Sequence, residues 1–172
     1  MAKKSVINDK LKQRLDQIDK IKADLQKAEK TATKEIMDLL KDLMAQNPLI
    51  EGVRWTQYTP HFNDGEECVF GINEPEFKFN LGAPSKFEDE DSYDGGDEGW
   101  YDDYYIDDEF FEKRADILNH KEIAGVKKAV KDINEVYSKL CSMERQMQSM
   151  FGDGVQVTVT ASGVETEDYD HD

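Results

Sequence analysis

Only two cysteines, Cys68 and Cys141, occur in the 172 residues, and they share no CxxC spacing. A disulfide framework is therefore excluded, and a reducing cytoplasm is the expected compartment. Histidine is equally scarce. His61, His120 and His171 are scattered, so no ligand pair has the close spacing that zinc sites use. No apolar run approaches the length needed to cross a bilayer. The opening MAKKSVINDK has no apolar stretch behind its lysines, so no signal peptide is expected. Apolar residues make up 38% of the chain and charged residues 35%. That apolar content is low for a compact globule and points to long exposed helices or flexible segments.

Basic residues are missing altogether from 87–112, which holds 13 acidic groups, and 165–172 adds five more. The net charge is −16. These two elements carry −18, and the remainder of the chain is nearly neutral at +2. The charge argues against contact of the acidic elements with duplex phosphates or an anionic membrane. It suits basic partners, cations, or proteins that normally bind nucleic acid.

Residues 5–46 read as one long helix. Leu11, Ile18, Leu25, Ala32 and Leu39 recur every seven residues. Ile7, Ile21 and Ala28 fill the intermediate row, which Arg14 and Glu35 interrupt, and Leu15, Ile36 and Leu43 widen the stripe. Such a stripe needs another helix to bury it. At about 1.5 Å per residue this helix is roughly 60 Å long, and Asn47-Pro48 ends it. Residues 53–81 switch to a β-branched and aromatic composition, with turn signals at Asn63-Asp64-Gly65 and Asn73-Glu74-Pro75. The expectation is a three-stranded meander, about 53–59, 67–72 and 76–81. An acidic-aromatic insert follows over 82–106. A second amphipathic helix is expected over 107–151, with a break near Asn119, where Asn119 and Glu122 resemble a capping box. Gly152 is its stop. Val155, Val157 and Val159 alternate with polar residues, predicting a strand over 154–161 that joins the meander. The acidic residues 165–172 are expected to be a disordered tail. The fold class is thus α+β in a single domain over 1–164. Two long helices form an antiparallel coiled-coil-like hairpin around a small antiparallel sheet.

No recognised catalytic or metal motif emerges. An EF-hand loop needs Gly at position 6 and a carboxylate at position 12. Starting at Asp89 these positions are Asp94 and Trp100; starting at Glu90 they are Gly95 and Tyr101. Neither register works, and no metal or cofactor is expected. Cys68 and Cys141 read as small hydrophobes rather than nucleophiles. There is no phosphate loop and no G-x-S-x-G, and a non-enzymatic protein is expected.

The insert carries the most information. From Phe87 to Phe111 it holds eight aromatics, whereas segments that only stay solvated lack them. Its expected contact residues are Asp89, Asp91, Tyr93, Asp94, Asp97, Trp100, Tyr101, Asp103, Tyr104, Tyr105, Asp107 and Asp108. The carboxylates can mimic a phosphate backbone, with the aromatics stacking in place of bases. They can equally steer docking onto a basic protein surface. The helical stripe supplies an oligomer interface through Leu11, Ile18, Leu25, Ile133 and Leu140. The aromatics of 53–81 offer a further, small-ligand (nucleotide-like) reading.

The segment WTQYTPHFNDGEECVFGINEPEF, residues 55–77, resembles uncharacterised small proteins of large tailed bacteriophages. The order of elements is similar to that of prefoldin-type chaperone subunits, in architecture only. The acidic insert and the strand after the second helix depart from that pattern. The resulting expectation is a cytoplasmic, oligomeric interaction protein. Encoded by a phage, it would inhibit a host nucleic-acid-binding or defence protein through its insert. The alternative is a structural or chaperone-like assembly protein acting through its helices.

Overall fold

Strand β1 (Ile50–Tyr58) is hydrogen-bonded along both edges, and the body is assembled around it. A computed structural model describes residues 3–62, 64–80, 99–102, 106–114 and 117–170, with side chains from residue 9 onward. On one edge β1 pairs antiparallel with β5 (Val155–Thr160), which pairs with β6 (Gly163–Asp168). On the other edge lie β2 (Gly71–Ile72) and β3 (Glu76–Phe79), and β4 (Trp100–Asp102) borders β3. Among the described residues all pairings are antiparallel.

The expected meander is corrected by this register. Tyr58 faces Gly71, Gln57 faces Ile72, and Arg54 faces Glu76. β2 and β3 therefore lie along the same edge of β1 as one interrupted return strand. Asn73-Glu74-Pro75 is a break in that strand rather than a reversal. Pro75 has no N–H to give the ladder. Asn73 spans the gap, its N–H donating to Thr56 O at 2.9 Å and its amide to Thr56 Oγ1 at 2.7 Å.

Strand alternation decides which side chains enter the core. One cross-strand row, Tyr101–Phe77–Val53–Val159–Val164, faces the helices. Val53, Phe77, Val157 and Val159 are fully buried, as is Trp55. Burial of each such aliphatic side chain is worth about 1.5–3 kcal/mol. Gln57 is buried in the same layer, where an unpaired amide would be costly. It accepts from Trp55 Nε1 at 3.3 Å and donates to Gly152 O at 2.7 Å.

Helix α1 (Lys3–Gln46) lays only its last third on this layer, through Thr33, Met37, Leu40 and Met44. The second predicted helix is three: α2 (Asp108–Glu112), α3 (His120–Cys141) and α4 (Glu144–Phe151). The break at Asn119 is the expected capping box. Asn119 Oδ1 accepts from the N–H groups of Lys121 and Glu122, and Glu122 accepts from Asn119 N. Such a cap contributes about 1 kcal/mol. The second break, at Ser142-Met143, turns α4 so that Met147 reaches the core. Among the described residues, α1 packs on α3 only near its base, so no two-helix hairpin runs the length of α1 there.

The C-terminal tail is corrected as well. Residues 165–168 complete β6, facing Thr158 to Val155 of β5. Main-chain pairing needs no apolar side chains, and a charged sequence on an edge strand resists further pairing. Tyr169 closes this end, its N–H bonding Gly154 O at 2.8 Å and its ring lying 5.6 Å from that of Tyr58.

Asp153 fastens the loop after α4 to the end of β1. Its carboxylate accepts from Thr59 Oγ1 at 2.6 Å, Thr59 N at 2.7 Å and Gln148 Nε2 at 3.0 Å. The Thr59 hydroxyl foremost, then the backbone amides and Gln148, hold its pKa below the ordinary value. Its stabilising contribution is full above the free carboxyl range and lost as pH falls through the depressed folded value. Asp153→Asn should flatten the acid limb of the stability profile. Thermal melts of the wild type should fall more steeply than those of the variant between about pH 5 and pH 2.

Candidate interaction surface: the projecting part of α1 and the acidic-aromatic segment

Every residue of α1 from Asp9 to Ala28 is exposed. Lysine, leucine and glutamine, all good helix formers, make up eleven of the twenty residues of this stretch. It leaves the body as a bare helix about 30 Å long. Leu11, Ile18 and Leu25 are 58%, 47% and 57% exposed, and Leu15 and Ile21 extend the same stripe. The seven-residue row stays outward even at the base. Leu39 is exposed while its neighbour Leu40 is fully buried. Thus α1 has two apolar faces, one used by the body and one facing solvent. Apolar patches of this kind mark contact sites more often than they occur by chance on monomers.

The five predicted interface residues separate accordingly. Leu11, Ile18 and Leu25 stand in the open stripe. Ile133 and Leu140 are instead fully buried in the core with Leu40, Met44 and Met147. The reason is that α3 spends its stripe on the base of α1 and on the sheet. Its apolar spacing is identical for a partner in the same chain or in another, so sequence alone does not separate the two.

The acidic-aromatic segment divides as well. Asp89, Asp91, Tyr93, Asp94, Asp97, Asp103, Tyr104 and Tyr105 lie outside the described residues. Of the remaining four, Trp100 is buried and Tyr101 half-buried, whereas Asp107 and Asp108 are exposed. Trp100 is buried on the sheet face opposite the helices, lying over Gly52. A Cβ on Gly52 would sit 3.1 Å from the Trp100 ring and 3.3 Å from Val159 O. The Arg54 guanidinium stacks 4.6 Å from the Trp100 ring centre and pairs with Glu76. Tyr101 points to the opposite face, 5.1 Å from the Phe110 ring and 6.1 Å from that of Phe79. Asp107 caps α2, accepting from Phe110 N at 2.9 Å. Asp108 pairs with Lys127, whose ammonium holds the carboxyl below its usual pKa.

Arg114 was not singled out from the sequence, yet it closes this cluster. It is buried, stacked 3.7 Å from the Phe110 ring centre, and donates to Phe110 O at 2.9 Å and Tyr101 Oη at 3.3 Å. The signal for it was a basic residue one helical turn after an aromatic pair, a spacing that stacks a guanidinium on a ring. The described residues around β4 are therefore fixed on both faces of the sheet, by Trp100 on one and by Tyr101, Phe110 and Arg114 on the other.

The aromatics of 55–79 are mostly structural. Trp55 and Phe77 are core, and Phe79 packs on Phe77 and Phe110. The concave surface on this part of the sheet, about 510 Å³, is lined chiefly by polar groups, including Arg54, Asn73, Glu74, Glu76 and Asp102. Burial raises the pKa of both the Tyr137 hydroxyl and the Cys141 thiol. Among the described residues no three His, Cys, Asp or Glu are grouped to hold a metal ion, and no helix is long and apolar enough to cross a membrane. The chain matches no known protein family, no curated protein and no solved structure.

Proposed function

We propose that this protein is a non-enzymatic assembly protein that joins other molecules through the projecting part of α1, first of all a second copy of itself. The observation that carries this reading is the row Leu11, Ile18 and Leu25, flanked by Leu15 and Ile21 and open to solvent along the projecting helix. The projecting stretch is held only by its own helical hydrogen bonds, and propagation returns little per residue, so it frays from the tip. Pairing of two such helices buries the stripe and stabilises both. The coiled coil expected between two helices of one chain is then formed between α1 helices of two chains.

Charge segregation favours a second role for the same assembly. The acids from Glu88 to Glu98, on a segment tethered at β4, would capture a basic protein in the cytoplasm. In a phage setting that partner is a host nucleic-acid-binding or defence protein.

The pairing role is tested by Ile18→Glu with Leu25→Glu. Sedimentation should show the wild type as an oligomer and the double variant as a monomer whose thermal unfolding of the body is unchanged. Ile133→Glu should instead cost about 4 kcal/mol or more and unfold the protein, since it buries an unpaired charge. A wild type that sediments as a monomer at all concentrations overturns the reading. The capture role predicts that changing the acids of 88–98 to Asn and Gln removes salt-sensitive retention of basic proteins. Undiminished retention by this variant would sink it. The substitution spares β4, Asp107 and Asp108, so the body stays folded.

A further inference from the structure

We infer that the two α1 helices pair antiparallel, so that the assembly is a rod with one body at each end. This rests on the self-pairing reading above and adds its geometry. In the heptad frame of the stripe, Leu11, Ile18 and Leu25 occupy one core row, and Arg14, Ile21 and Ala28 occupy the other. Parallel pairing sets each row against itself. Arg14 then meets Arg14 of the second copy inside the seam, and Asp24 faces Glu29 across its edge. Both are like-charge contacts, which pairing surfaces avoid.

Reversing one helix sets one row against the other. Leu11 then lies against Ala28 of the second copy, Ile18 against Ile21, and Leu25 against Arg14. The seam then sets apolar residue against apolar residue in two of these layers, and no charge faces its like. The long Arg14 stem covers Leu25 while its guanidinium reaches Asp24 beside it in the second copy. At the flanks Gln17 meets Asp24, and Lys10 meets Thr31.

The distribution of charge over the whole chain points the same way. Residues 3–14 hold five basic groups and one acidic group, a net +4, whereas the complete chain is −16. Parallel pairing would bring two positive tips together and two negative bodies together. Antiparallel pairing parts both, and lays each basic tip at the base of the other copy's acidic body. The bases of the two bodies stand about 40 Å apart, so the assembly presents its acidic segment twice, at opposite ends.

The test is oxidative cross-linking of the full chain with Cys68→Ser and Cys141→Ala as background. Leu11→Cys and Ala28→Cys, both at exposed positions, are compared separately and mixed. The expected result is a disulfide-linked dimer in the mixture and none from Leu11→Cys alone. A linked dimer from Leu11→Cys alone overturns the orientation but leaves self-pairing intact. A protein that is monomeric by sedimentation overturns both. Small-angle scattering of the unaltered protein gives a second reading that no substitution can disturb. The antiparallel rod gives a second maximum in the distance distribution beyond about 40 Å, and a single compact maximum contradicts it.

Discussion

Packing of Leu40 and Met44 against Ile133, Leu140 and Met147 over the β1–β5 layer is the contact on which the molecule depends. It seals the face of the sheet that the helices cover, and it fixes the direction in which α1 leaves the body. The body offers apolar surface for about the last third of that helix. The remaining length is set by sequence, because nothing from Lys3 to Gln46 breaks a helix, and only Asn47-Pro48 stops it. A helix longer than the core that holds it must present its other apolar row to solvent or to a partner.

The acidic segment obeys a related constraint. Carboxylates do not enter an apolar core, but the aromatic pair Trp100-Tyr101 does. Trp100 seals one face of the sheet over Gly52, and Tyr101 joins Phe79, Phe110 and Arg114 on the other. Buried rings thus fix β4, the point at which the run of acids 88–98 rejoins the sheet. The aromatics that argued against a purely solvating loop thus owe part of their number to anchoring. That weakens the case for base-like stacking by Trp100 and Tyr101, and leaves the carboxylates as the feature that would meet a basic partner.

Much of this was legible in the sequence, and the failures have physical causes. The 3.6-residue and two-residue periods located α1, α3 and β5, and Asn119 with Glu122 marked a real helix start. The Asn73-Glu74-Pro75 turn signal misled because a proline that interrupts a ladder and one that reverses a chain look alike until register is known. The tail misled because the pairing of β6 is made by main-chain groups, which acidic side chains do not betray. The break before α4 has no side-chain cap to announce it. Ile133 and Leu140 stand one heptad apart, as Ile18 and Leu25 do. Only the placement of α1 tells an internal seam from an external one. In the candidate surface, the stripe Leu11, Ile18 and Leu25 was readable in full, whereas the structural roles of Asp107, Asp108 and Arg114 required their partners in space.

Hydrogen exchange along α1, followed from dilute to concentrated protein, tests the central claim most directly. Pairing predicts that amides between Asp9 and Ala28 are well protected where the protein is concentrated and lose that protection on dilution, while amides of β1 and β5 do not change. Exchange of Asp9 to Ala28 at one rate at every concentration would contradict it, because an unpaired helix is held only by its own hydrogen bonds, which dilution does not change.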